Sequence, residues 1–195
     1  VALIVSFFAS GAFSARAAFV TPEIVGGRMR FVEGPSVNRD GNVYVVDLQE
    51  DRGVIYKVDP WKRTTERWVE TGTRGCNGAV MGPDGWLYVT HQGLHSVLRV
   101  RKTNGVPEIQ TVVASGPGVS LNAPNDLVFR SNGDFYFTDP IWGAGRENGE
   151  VYLRRKSGEV VRILSNVITP NGIGLSPDES TLYVAQTDLN RTIRC

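Results

Sequence analysis

The sequence is short of the residues that carry thiolate and imidazole chemistry. It has two histidines and two cysteines in 195 residues, too few for a zinc-ligating Cys/His cluster or a disulfide framework. Cys76 and Cys195 stand at no spacing that requires a bridge and read as ordinary thiols. Charge of one sign is not in excess either: the formal net charge is +1, with Lys and Arg scattered along the chain. That argues against a nucleic-acid partner or an anionic membrane surface. A long hydrophobic run is also missing. The most apolar stretch, Val1 to Ala9, is interrupted only by Ser6, but it falls well short of the ~20 residues a membrane span needs. Helical patterning is absent too, because Gly, Pro, Asn and Asp break every apolar run within a few residues.

What the sequence has is a repeat. Glu33-Gly34 leads to Asp40-Gly41 and then to Val43–Val46. Asn77-Gly78 leads to Asp84-Gly85 and Leu87–Val89. Asn125-Asp126 leads to Asn132-Gly133 and Phe135–Phe137. Asn171-Gly172 leads to Asp178-Glu179 and Leu182–Val184, with one extra residue before the tyrosine. The leading polar residue precedes the turn residue by seven positions each time, and the repeat period is 44, 48 and 46 residues. Each unit reads as a hairpin, its turn marked by Asn-Gly or Asp-Gly, which tolerates positive φ. Two further strand candidates follow each hairpin: Val54–Val58 and Arg67–Val69, Ser96–Val100 and Ile109–Val113, Glu150–Leu153 and Val160–Leu164, and finally Arg191–Cys195.

Four strands per unit at a period of ~40–50 residues predicts an all-β fold, a β-propeller of four-stranded blades. The blades fall near residues 31–70, 75–114, 121–165 and 168–195, about three and a half in all. The hairpin strands are apolar on consecutive positions, as expected when both sheet faces are covered. Residues 18–195 therefore read as one partial propeller domain. The chain begins at Val1 and ends at Cys195 inside a strand candidate, so a piece of a longer protein is expected. Residues 1–17, an apolar run followed by Ala15-Arg16-Ala17, read as the remnant of a signal peptide, which predicts a secreted or periplasmic protein.

In a propeller the first strand of each blade lines the axis, so Glu33, Asn77, Asn125 and Asn171 are predicted to form one ring. A carboxylate with several amide oxygens is a donor set for a hard divalent cation. Calcium is the first choice; magnesium, manganese and zinc stay open, zinc being disfavoured by a ring without His or Cys.

The segments EGPSVNRDGNVYVVD, GCNGAVMGPDGWLYVT, LNAPNDLVFRSNGDFYFTDP and TPNGIGLSPDESTLYVAQT resemble the gluconolactonase/regucalcin family of six-bladed propellers, which also includes a diisopropyl fluorophosphatase. The resemblance implies one divalent cation, usually calcium, held by Glu33, Asn125 and Asn171 with an aspartate of the fifth blade. That aspartate, also the implied general base, has no counterpart up to Cys195, so no catalytic residue is assigned and the 195-residue chain alone is expected to be inactive. Asn77 would line the pocket. Arg74 and His91 are candidate substrate contacts, Arg74 for its place ahead of Asn77 and His91 for its place after the second hairpin strand. The implied activity is a metal-dependent hydrolase opening a lactone ring, with a small-molecule lactone or related ester as substrate. The alternative is a ligand- or partner-binding propeller whose metal is structural.

Overall fold

A computed structural model describes residues 23–195. The signal-peptide expectation for residues 1–17 falls outside the described residues. Among the described residues no helix is long and apolar enough to cross a membrane.

The strands are β1 (Val32–Val37), β2 (Val43–Asp47), β3 (Val54–Asp59), β4 (Thr64–Glu70), β5 (Cys76–Met81), β6 (Leu87–His91), β7 (Ser96–Thr103) and β8 (Val106–Ala114). They continue with β9 (Leu127–Phe129), β10 (Phe135–Asp139), β11 (Gly149–Arg154), β12 (Val160–Val167), β13 (Pro170–Leu175), β14 (Leu182–Gln186) and β15 (Arg191–Arg194). They form three four-stranded sheets and one three-stranded sheet, each ordered as in the chain. Neighbouring strands are antiparallel. These are the predicted blades of a β-propeller. Their first strands touch in succession, β1 on β5, β5 on β9 and β9 on β13, which makes them the inner wall.

The second strand of each blade shows why consecutive apolar residues are needed. All five residues of β2 are buried. Tyr44 and Val46 join the cluster against Cys76, Ala79 and Leu87 of blade 2. Val43 and Val45 pack on the other face, where Val25 and Met29 cover them. Side chains alternate across a strand, so a blade sandwiched between two apolar layers must be apolar at every position. Blade 2 meets blade 3 through Tyr88, Leu127, Phe135 and Phe137, and blade 3 meets blade 4 through Val151, Val167, Leu182 and Val184.

The hairpin turns differ from the Asn-Gly expectation in one respect: glycine alone is left-handed. Gly41, Gly85 and Gly133 have φ of 80°, 79° and 91°, whereas Asp40, Asp84 and Asn132 do not have positive φ. In blade 3, Arg130 bonds Asp134 and Gly133 N–H donates to Arg130 O. The loop is therefore three residues long, ending in a left-handed glycine, and Asn132 serves by accepting the Asp134 amide at 2.9 Å. Blade 4 has Glu179 at this position, with φ of 57°. Its carboxylate accepts the Ser131 amide of blade 3 at 2.7 Å, a tie between blades that glycine could not make.

Candidate functional site

Each predicted ring residue sits where its inner strand is irregular. The β1–β2 register shifts between Glu33 and Ser36, the β5–β6 register between Cys76 and Ala79, and the β13–β14 register between Pro170 and Ile173. In blade 3 the strand starts only after Asn125-Asp126. Bulges of this kind re-aim side chains and are common beside functional sites.

The bulges also pack the ring residues against one another. A Cβ on Gly34, whose φ is 52°, would lie 2.3 Å from Ala79 N and 2.7 Å from Asn77 O. A Cβ on Gly78 would lie 2.5 Å from Asn125 O and 2.9 Å from the Asp126 Cα. Only glycine allows the next blade's ring residue to come so near. From blade 3, Asp126 reaches blade 4: its Oδ1 accepts the Leu127 amide at 2.9 Å and its Oδ2 the Ile173 amide at 3.0 Å. Glu33, Asn77, Asn125 and Asn171 are thus brought onto one inner wall, with Asp126 among them.

Among the described residues, the asparagine side chains of this wall lack protein partners. Asn77 and Asn125 are 6% and 4% exposed, yet among the described residues no hydrogen bond engages either side-chain amide, nor that of Asn171. These amide atoms are not among the sealed, unpartnered ones, Ser96 Oγ and Arg154 Nε, so they reach solvent with bonding capacity left for a ligand. Two carboxylates share the site. Glu33 is held above the usual carboxylate range, first by desolvation and then by the nearby Asp126, with the Gly34 amide pulling it back. Asp126 is raised by desolvation, against the Ile173 and Leu127 amides. No lysine or arginine pairs with either among the described residues. Partly desolvated, uncompensated anions beside neutral amide oxygens fit a hard divalent cation. No group of three or more His, Cys, Asp or Glu stands together among the described residues, so the fit rests on amide oxygens as much as on carboxylates.

The two remaining candidates lie apart from this wall. Arg74 is exposed on the loop entering β5, its Nε donating to Leu48 O at 3.3 Å. His91 is fully buried, the last residue of β6 and not a loop residue. Its Nδ1 accepts the Leu94 amide at 3.1 Å and its Nε2 meets Thr71 Oγ1 at 2.9 Å. Burial pushes it down to about 4, so it is a neutral ring that binds its own loop, with no surface turned to a substrate.

Asp126 is the site residue that sequence reasoning passed over. Its signal was present, since blades 1, 2 and 4 have glycine at that position and only blade 3 has a charge. A second ring also went unread: Asp47, His91, Asp139 and Gln186 end the four second strands. Asp47 accepts the amides of Arg30, Phe31 and Gln49. Asp139 accepts those of Asn122 and Ala123, and Gln186 donates to Ile168 O.

Residues 31–195 match the SMP-30/gluconolactonase/LRE-like region, a span containing every ring residue. The chain belongs to this family. A gluconolactonase of Zymomonas mobilis is 35% identical over 124 residues, covering 58% of this chain and 34% of the relative. The lactonase drp35 of Staphylococcus epidermidis is 29% identical over 174 residues, covering 84% of this chain and 50% of the relative. The chain thus spans a third to a half of the length of these relatives. In structure, a gluconolactonase of Xanthomonas campestris superposes with a TM-score of 0.73 over 87% of this chain and 59% of that one, at 22% identity, a likeness of fold.

Proposed function

We propose that the full-length protein is a metal-dependent hydrolase of the lactonase type, acting on a small-molecule lactone or related ester. The observation that carries this reading is the inner wall itself: nearly buried Asn77 and Asn125 with unengaged amides, beside two carboxylates that no lysine or arginine among the described residues neutralises. The lactonases among its relatives favour this chemistry over other uses of a propeller.

Glu33, Asn125 and Asn171 would hold the cation, calcium before magnesium, manganese or zinc. A bound divalent ion supplies Lewis-acid polarisation of a lactone carbonyl. The protein's own groups do the rest. Glu33 contributes the charge, and a bound cation would offset the desolvation and the nearby Asp126 that raise its proton affinity. Asn77, at the same level of the wall, is placed to bond a polar group of the substrate, whereas Arg74 stands apart from the wall and is given no role. Asp126 orients blade 4 through Ile173. Both its oxygens accept backbone amides, which makes it a poor general base.

That last point is what a binding propeller with a structural ion would share, since among the described residues Glu33 is the one carboxylate on the wall without a backbone amide from another blade. Assaying the full-length protein on sugar and acyl lactones, with calcium and with chelator, tests the choice. Chelator-sensitive hydrolysis is expected. Calcium binding without turnover of any lactone would favour the structural ion, and turnover indifferent to chelator would remove the metal from the mechanism.

A further inference from the structure

Across each hairpin, one residue of the second strand stands beside the ring position: Val46, paired with Glu33, then Thr90, Thr138 and Ala185. In blades 2 and 3 it is a threonine with no exposed surface. Gly78 N–H is shared between Thr90 Oγ1 and the Asn125 carbonyl, at 2.7 Å to each, and the Thr90 hydroxyl donates to the same carbonyl at 2.6 Å. Asp126 N–H donates to Thr138 Oγ1 at 3.1 Å, and that hydroxyl donates to the Asn171 carbonyl at 2.8 Å. The hydroxyl link occurs twice, and at Thr90 a direct backbone bond runs beside it. Each hydroxyl accepts from the residue that follows its own blade's ring position and donates to the ring residue of the next blade. The carbonyls of its own blade are the poorer acceptors, at 3.3 Å for Gly78 and 3.5 Å for Asp126.

A hydroxyl has one proton to donate, and here it goes across the blade boundary. Blade 4 forms the same bulged hairpin with Ala185 in this register, and in blade 1 Val46 pairs with Glu33 just ahead of the bulge, so a blade does not need a hydroxyl there to fold. The two threonines stand ahead of Asn125 and Asn171, two of the neutral ligands assigned above. We propose that Thr90 and Thr138 are positioning residues, which set Asn125 and Asn171 for a cation by pinning their carbonyls to the preceding blade. This rests on the ring being a cation site. Pinning the carbonyl fixes the peptide plane that follows each asparagine, and with it the backbone from which the side chain projects. Amide oxygens are weak ligands that count only when held in place, and partners behind the ligands commonly change metal affinity by ~10–100-fold.

The test uses residues that the protein already tolerates in this register. Thr138→Ala copies blade 4, Thr90→Val copies blade 1, and Thr138→Ser keeps the hydroxyl. Each is made in the full-length protein and titrated calorimetrically with calcium, and its unfolding by urea is followed in chelator. The expected result is binding weakened about 10-fold or more by Thr138→Ala and less by Thr90→Val, where Gly78 N–H still holds the Asn125 carbonyl, with affinity close to wild type for Thr138→Ser. Alanine and valine variants that fold and bind calcium as tightly as wild type would overturn the positioning role while leaving the cation site intact. Wild-type protein that binds no divalent cation would overturn the site itself. If the alanine and valine variants do not fold, the serine variant still decides, since a folded Thr138→Ser protein that has lost affinity would show that the hydroxyl is not what matters.

Discussion

Two rings of polar residues run around this propeller, and they are in opposite states. The ring at the ends of the second strands, Asp47, His91, Asp139 and Gln186, is at most 4% exposed, and its members are engaged by the backbone of neighbouring loops. The ring at the bulges of the first strands, Glu33, Asn77, Asn125 and Asn171, is partly or nearly buried, and its amides are engaged by nothing in the described protein. Both rings recur at the blade period, so periodicity alone does not separate a structural position from a functional one. Bonding capacity does. The first ring holds the fold together, and the second is left with donors and acceptors for something else.

The largest effect that would sharpen this contrast is on stability. Asp47→Ala strips three backbone amides of their acceptor. At about 1 kcal/mol for each lost bond, and more where a donor stays buried, a cost of about 3 kcal/mol is expected. Urea denaturation of the full-length protein measures it. A loss within experimental error would place Asp47 outside the structural ring.

Next comes the pH dependence of the same ring. His91 is neutral in the folded state, with its proton affinity lowered to about 4, while an unfolded histidine takes up a proton near 6.5. The unfolded chain therefore binds more protons between these values, and stability drawn from His91 is lost as pH falls from about 6.5 to about 4. Asp139 runs the other way. Desolvation raises it to about 6, so the folded state binds the extra proton and stability rises as pH falls from about 6 towards 3.8. Two residues in one register thus oppose each other. Replacing His91 with Gln should remove one side, so that the variant gains on wild type by up to about 3 kcal/mol across that window. Parallel pH profiles for the two proteins would contradict the buried, neutral assignment.

Smallest in stability is the change expected from the inner ring. Glu33→Gln in chelator should leave stability unchanged or slightly raised, because it removes a desolvated charge facing Asp126. The same substitution should weaken calcium binding at least about 10-fold, since ligand charge sets affinity at such sites. Loss of stability without loss of affinity would move Glu33 into the structural ring.

Much of this was legible in the sequence. The four blades followed from hairpins spaced 44, 48 and 46 residues apart, and the extra residue in blade 4 appears as the longer loop between Ser176 and Thr181. The ring was legible because Glu33, Asn77, Asn125 and Asn171 keep one register. Asp126 was hidden beside Asn125, where a Pro-Asn-Asp string reads as a turn. His91 looked available because sequence alone does not show Thr71 and Leu94 closing on its two nitrogens. The threonine links are contacts between blades, and no pattern within one repeat reveals which blade a hydroxyl will face.

The central claim is that the inner ring binds one divalent cation through side chains the fold does not use. The most direct test is calorimetric titration of calcium into the full-length protein and its Asn125→Ala variant, with urea denaturation of both in chelator. The account predicts one site in wild type, affinity reduced about 10-fold or more in the variant, and unfolding midpoints that agree in chelator. Equal affinities, or a variant that loses stability in chelator while binding as before, would contradict it.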